Sequence, residues 1–95
     1  MKDDLITIRE YCFHYKTELS FIEALEELGL IRLWEENDEK YIEIDQLPEL
    51  EKYNRMLYDL EINPAGIDAI HHLLEKIQTL QEEISVLRNR LRFYE

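Results

Sequence analysis

From Asn63 to the end of the chain, nothing in the sequence would stop a helix. Asn63-Pro64 is a start signal, an Asx cap followed by proline at the first helical position, where its fixed φ and missing N–H are tolerated. The thirty-two residues that follow the cap would extend ~48 Å at about 1.5 Å per residue. A rod of that length cannot lie along a head of about 60 residues. The expected organisation is therefore a head over residues 1–62 and a long C-terminal helix over 63–95.

The apolar positions of that helix are Ile67, Ile70, Leu74, Ile77, Leu80, Ile84, Leu87, Leu91 and Tyr94. From Ile77 onward they alternate steps of three and four, a heptad seam. The step from Ile77 to Leu80 is out of phase with the residues before it. This predicts that the helix faces the head before Ile77 and another helix after it. Burying large side chains is worth roughly 1.5–3 kcal/mol each, and a head this small is marginal in core size. A homodimer through Ile77, Leu80, Ile84, Leu87, Leu91 and Tyr94 answers both needs. The competing reading has the helix folding back or receiving a helix of a different protein. Arg88, Arg90 and Arg92 suit the negative end of the helix dipole.

The head begins with two segments spaced as capping boxes, Thr7-Ile8-Arg9-Glu10 and Ser20-Phe21-Ile22-Glu23. Each offers a hydroxyl to an orphaned N–H and a carboxylate three residues later. They predict helices over about Ile8–Tyr15 and Phe21–Leu28, the second stopped by Gly29 as a left-handed residue. The short break Lys16-Thr17-Glu18-Leu19 gives helix-turn-helix spacing. Ile31-Arg32-Leu33-Trp34 and Lys40-Tyr41-Ile42-Glu43-Ile44 alternate with period two around the polar stretch Glu35–Glu39, which reads as a hairpin. Asp45 is positioned to cap a third helix entered through Pro48 and running to about Leu60. Its apolar face is Leu47, Leu50, Tyr53, Leu57 and Leu60. The fold class that results is mainly α with a small β-hairpin.

Charge narrows the function. Acids outnumber bases 22 to 11, a formal charge of −11. Residues 1–63 hold 17 Asp/Glu against 7 Lys/Arg (net −10), and 64–95 hold 5 against 4 (net −1). The segment in the recognition-helix position, Ser20–Leu28, carries Glu23, Glu26 and Glu27 and no base. A DNA reader neutralises phosphates with lysine and arginine. This head repels nucleic acid and anionic lipid and attracts a basic protein surface. Surface acid that serves solubility alone is the plainer reading.

Several other classes are disfavoured. No 18-residue apolar run exists, and Met1-Lys2-Asp3-Asp4 lacks the apolar core of a signal peptide, so the expectation is a soluble cytoplasmic protein with no membrane contact. Cys12 is the lone cysteine and reads as a small core residue. His71 and Glu75 are one helical turn apart beside His72, but zinc requires three or four ligands. Two glycines, Gly29 and Gly66, cannot build a phosphate-cradling loop. No metal, no cofactor and no enzymatic activity are expected.

The order of these elements, with Leu5-Ile6-Thr7-Ile8-Arg9-Glu10-Tyr11-Cys12, Leu25-Glu26-Glu27-Leu28-Gly29-Leu30-Ile31 and Asp59-Leu60-Glu61-Ile62-Asn63-Pro64-Ala65-Gly66-Ile67-Asp68-Ala69-Ile70, resembles the MerR-like winged helix-turn-helix. More specifically it resembles the small chaperone-modulator proteins of the CbpM type. The resemblance implies a regulator that binds the J-domain of a DnaJ/CbpA-like co-chaperone and restrains its activity. A J-domain presents a basic helix, and an acidic head is complementary to it.

The resemblance transfers no contact residues, so the surface is chosen on chemistry. An aromatic anchor ringed by charge is the usual arrangement. Trp34, Glu35, Glu36, Asp38 and Glu39 on the hairpin and Glu23, Glu26 and Glu27 on the second helix form the best cluster. Trp34 has a second reading as a plug in the small core, and the glutamates as a solvated helix face. The alternative function is a dimeric MerR-like DNA-binding transcriptional regulator. Its only bases in reach are Arg9, Lys16, Arg32 and Lys40. A third reading is an adaptor that uses the long helix alone.

Overall fold

A computed structural model describes residues 4–94. Strand β1 (Leu5–Thr7) leads into helices α1 (Ile8–Tyr15) and α2 (Leu19–Glu27). Strands β2 (Trp34–Glu36) and β3 (Glu39–Glu43) follow, then a 3-10 turn at Ile44–Gln46, helix α3 (Leu47–Tyr58) and helix α4 (Pro64–Tyr94). This is a mainly α, winged helix-turn-helix head with a long C-terminal helix. The longest dimension, 61 Å, reflects α4 projecting beyond the head.

Helix α1 starts as its sequence predicts, with Thr7 Oγ1 accepting the Glu10 N–H at 3.0 Å. The second capping box does not form. Helix α2 begins at Leu19 with Glu18 as its N-cap, and Ser20 Oγ only reaches Glu18 Oε2 at 3.5 Å. The turn is set instead by Thr17, which is buried and donates its hydroxyl to Asn54 Oδ1 of α3 at 2.9 Å. Tyr58 reinforces the turn by accepting the Glu18 N–H at 3.3 Å. These tertiary partners start the helix two residues ahead of where a Ser20 cap would start it. Helix α2 stops at Gly29, whose φ of +76° suits a residue with no Cβ. Gly29 N–H donates to Glu26 O and Leu30 N–H to Leu25 O, both at 3.0 Å, a complete Schellman closure.

The predicted hairpin is one part of a three-stranded antiparallel sheet of order β1-β3-β2. Its first strand begins at Trp34 rather than Ile31, and its turn is Asn37-Asp38 alone. Both turn residues have positive φ, 52° and 63°, the two-residue geometry whose twist matches flanking strands. Residues Ile31–Leu33 lie outside the sheet because the Gln46 side chain occupies the Arg32 backbone. Gln46 accepts the Arg32 N–H and donates to the Arg32 carbonyl, each at 2.9 Å. With Gln46 used this way, α3 has no side-chain cap, so Asp45 does not perform the role its position suggested. Helix α3 also ends at Tyr58, two residues early, and Leu60 is exposed. A residue with positive φ, Glu61, and the Ile62 N–H donated to Met56 O at 3.0 Å close the turn into α4. There Asn63 Oδ1 accepts the Gly66 N–H at 2.8 Å, the predicted Asx cap.

The core draws one face from each of the four helices and from β3. Ile8 and Tyr11 come from α1, Phe21, Ile22 and Leu25 from α2, Ile42 from β3, Leu50 and Tyr53 from α3, and Ile67 from α4. Ile31 fills the gap before the sheet. Beyond His71 no residue of α4 is more than partly covered. Leu73, at 59 % exposure, and Leu74, at 45 %, diverge there. Leu74 faces a groove shared with Leu30 and Tyr53 of the head. Leu73 lies seven residues before Leu80 and so continues the seam. The phase break at Ile77 belongs to the path through Leu74; counted through Leu73, steps of three and four run unbroken from Ile70 to Tyr94. Among the described residues, no helix is long and apolar enough to cross a membrane.

Candidate protein-docking surface

The hairpin packs its inner face toward α1 and α2 and leaves its outer face in water. Strand alternation places Glu35, Lys40 and Ile42 on the inner face and Trp34, Tyr41 and Glu43 on the outer one. Ile42 is fully buried, which fixes which face is which. Lys40 then projects at α2, its Nζ 3.4 Å from Glu26 Oε1 and 3.9 Å from Glu23 Oε2. At the other side of the tip, Arg9 of α1 lies 3.8 Å from Glu39 Oε2. Three of the seven acids expected on this surface are thus matched by bases of the same chain. Among the described residues, Glu27, Glu35, Glu36 and Asp38 make no ion pair.

The elements enclose a cleft of about 350 Å³ between α1, α2 and the hairpin tip. Ile8, Cys12 and Leu19 provide apolar walls, while Glu23, Glu35 and Asp38 bring carboxylates to it. Burial pushes the Cys12 thiol pKa up, so the thiol stays protonated more readily than an ordinary cysteine. Glu36 faces Glu39 directly across the ladder. Like charges so placed disfavour a hairpin, and here Arg9 lies beside Glu39 to offset them.

Trp34 is not a core plug. It is 57 % exposed, opposite Tyr41 in the ladder, and its Nε1 donates to Glu43 Oε1 at 3.1 Å. The eight residues singled out from sequence therefore do not form one cluster. Glu23, Glu35, Asp38 and Glu39 border the cleft, with Glu26 tied to them through Lys40. Trp34 and Glu36 share the outer sheet face with Tyr41 and Glu43. Glu27 stands exposed at the end of α2. Glu43 is a participant that sequence reasoning passed over. Its position two residues past Tyr41, the residue opposite Trp34, makes it a diagonal cross-strand neighbour, a signal legible once register is known.

His71 belongs to the head rather than to a metal site. Its Nδ1 shares a hydrogen bond with the Tyr53 hydroxyl at 3.3 Å, and its Nε2 is 3.5 Å from Glu75. His72 Nδ1 lies 2.8 Å from the Asp68 carbonyl oxygen. Among the described residues, no group of three or more His, Cys, Asp or Glu side chains is placed to hold a metal ion. Of the seam residues, Ile77, Leu80, Ile84, Leu87, Leu91 and Tyr94 are all exposed on the single chain.

A helix-turn-helix with a β-hairpin wing on a long helix defines a regulatory protein of the winged helix-turn-helix class. The sequence model of the MerR HTH family of regulatory proteins matches residues 6–89, and the chain belongs to that family. No curated protein and no solved structure matches it.

Proposed function

We propose that this MerR-family chain is a cytoplasmic, non-enzymatic regulator of the CbpM type. In this reading it binds the J-domain of a DnaJ/CbpA-like co-chaperone and inhibits it through the acidic α2–hairpin surface. It acts as a homodimer held by the α4 seam. The observation that carries the reading is the chemistry of the recognition-helix position. Glu23, Glu26 and Glu27 are there without a lysine or arginine, and among the described residues the one lysine that reaches α2, Lys40, is already engaged with two of them. Such a face favours a basic protein helix over a phosphate backbone. Trp34, exposed beside Glu43 and Tyr41 on the outer face of the hairpin, offers a separate aromatic contact next to that surface.

The test is binding to a purified J-domain by calorimetry at low and high salt. Affinity is expected to fall as salt rises, and the triple reversal Glu23→Lys, Glu26→Lys, Glu27→Lys is expected to abolish it. Full binding by that variant, or indifference to salt, would remove the electrostatic mechanism.

Family membership favours a second reading, a dimeric DNA-binding transcriptional regulator. Its weakness is supply of positive charge. Arg9 and Lys40 sit within ion-pair distance of carboxylates, which leaves Lys16 and Arg32 as the other bases near the helix-turn-helix and wing. A mobility-shift experiment at low salt decides between the two. Tight, sequence-specific DNA binding would replace the first reading with the second.

A further inference from the structure

The cleft between α1, α2 and the hairpin tip has a form that the overall acidity of the head does not explain. Its volume, about 350 Å³, sits at the low end of the ~300–1,000 Å³ of small-ligand pockets. It is too narrow to admit a helix of about 10–12 Å diameter. One long side chain fits the scale. The lining is mixed: Ile8, Cys12 and Leu19 are apolar, Glu23, Glu35, Asp38 and Glu39 bring four carboxylates, and Arg9 and Lys40 bring two cations, which leaves an excess of acid. That is the complement of a lysine or arginine, whose methylene stem lies on apolar surface while its charged head seeks acceptors. An apolar side chain would strand the carboxylates, and an acidic one would be repelled.

The chain's own cations behave consistently with this. Lys40 takes Glu23 and Glu26, and Arg9 takes Glu39. Both line the cleft and leave Glu35 and Asp38 without an ion pair among the described residues. We propose that this cleft receives one lysine or arginine side chain from a basic helix of the partner. In that seating Glu35 and Asp38 are the head-group acceptors, and Leu19 and Cys12 form the seat of the stem. The choice of a helix as carrier rests on the partner reading above; the cleft assignment itself rests on its shape and charge.

Cys12 makes the assignment testable, because it is the only cysteine in the chain and lies in the cleft wall. Its alkylation by N-ethylmaleimide is measured in the full-length protein alone, with a lysine- and arginine-rich amphipathic peptide, and with a purified J-domain. Occupancy of the cleft slows alkylation about fivefold or more at saturation, the expected sign for either ligand. The paired substitution Glu35→Gln with Asp38→Asn keeps side-chain shape and a turn-compatible residue. It weakens peptide binding about fivefold, the upper range for a partly exposed ion pair, and leaves the unliganded alkylation rate unchanged. The proposal fails if the peptide does not bind, if it binds without slowing alkylation, or if the double variant binds as tightly as the parent. A J-domain that does not bind, with the peptide still protecting Cys12, removes the named partner and keeps the cleft. A J-domain that binds without protecting Cys12 keeps the partner and removes the cleft as its seat.

Discussion

Lys40 of the hairpin lies 3.4 Å from Glu26 of the second helix, and through that contact the wing and the recognition helix share one charge system. Both side chains are about one-third exposed, 32 % and 35 %. The pair therefore contributes less than about 1 kcal/mol to folding. Its larger effect is to mask acid that a basic partner would otherwise meet. Lys40→Gln is expected to change stability in urea by less than about 1 kcal/mol and to tighten a basic protein ligand severalfold at low salt. Weaker binding by this variant would mean that Lys40 itself contacts the partner.

The two capping segments separate cleanly under mutation. Thr7→Ala removes an observed cap and should cost about 1 kcal/mol. Ser20→Ala removes a hydroxyl that caps nothing and should cost less than about 0.5 kcal/mol. Thr17→Val should be the most damaging of the three, at about 1–3 kcal/mol, because it leaves Asn54 without its buried donor. Equilibrium unfolding of the three variants at constant m-value gives the ranking directly.

That ranking also shows what the sequence could and could not reveal. The helices were legible because caps, glycine stops and three-four spacing are local. Ser20 misled because Thr17 finds its partner in Asn54, thirty-seven residues away. Strand β1 is three residues long, too short for alternation to register. Alternation on the hairpin gave the parity of Trp34 but not which face would be covered; only Ile42 packed in the core settles that. Leu73 and Leu74 are neighbours on different faces of α4, only one of which turns to the head, so a single apolar periodicity did not describe the helix. The pairing of Lys40 with Glu23 and Glu26 depends on the wing folding against α2, and no local pattern announces it.

Two core tyrosines predict where the head fails in alkali. Burial, with a further contribution from Glu49, pushes the Tyr53 phenol up to about 12 from its ordinary 10.0. Tyr11 is raised as well, by burial first and by Glu51 second. Both are neutral in the fold, while the unfolded chain ionises near 10. Above that pH the folded state holds more protons, so stability falls as pH rises from about 10 towards 12. Phenolate absorbance and helical circular dichroism should change together in this window. Tyr11→Phe sharpens the test, because the Tyr11 hydroxyl is buried without a hydrogen-bond partner among the described residues. Removing it should leave stability at neutral pH unchanged or raise it by up to about 1 kcal/mol, and should move the alkaline midpoint upward.

The unbroken seam makes a prediction that a seam starting at Ile77 does not. If a second copy covers the full run from Ile70 to Tyr94, Leu73 lies inside the interface, close to the head. Leu73→Asp then weakens the dimer to a degree comparable with Leu80→Asp or Leu87→Asp, each losing roughly 1.5–3 kcal/mol of side-chain burial per chain. A seam confined to residues 77–94 leaves Leu73→Asp without effect on assembly. All three leucines are about half exposed or more on the single chain, at 59 %, 49 % and 56 %, so the head should stay folded in each variant. Sedimentation velocity across a concentration series reads the dissociation constant. Near-ultraviolet circular dichroism checks that Tyr11 and Tyr53 remain packed. Monomeric behaviour of the parent chain at all concentrations would end the homodimer proposal and turn attention to a helix from a different protein.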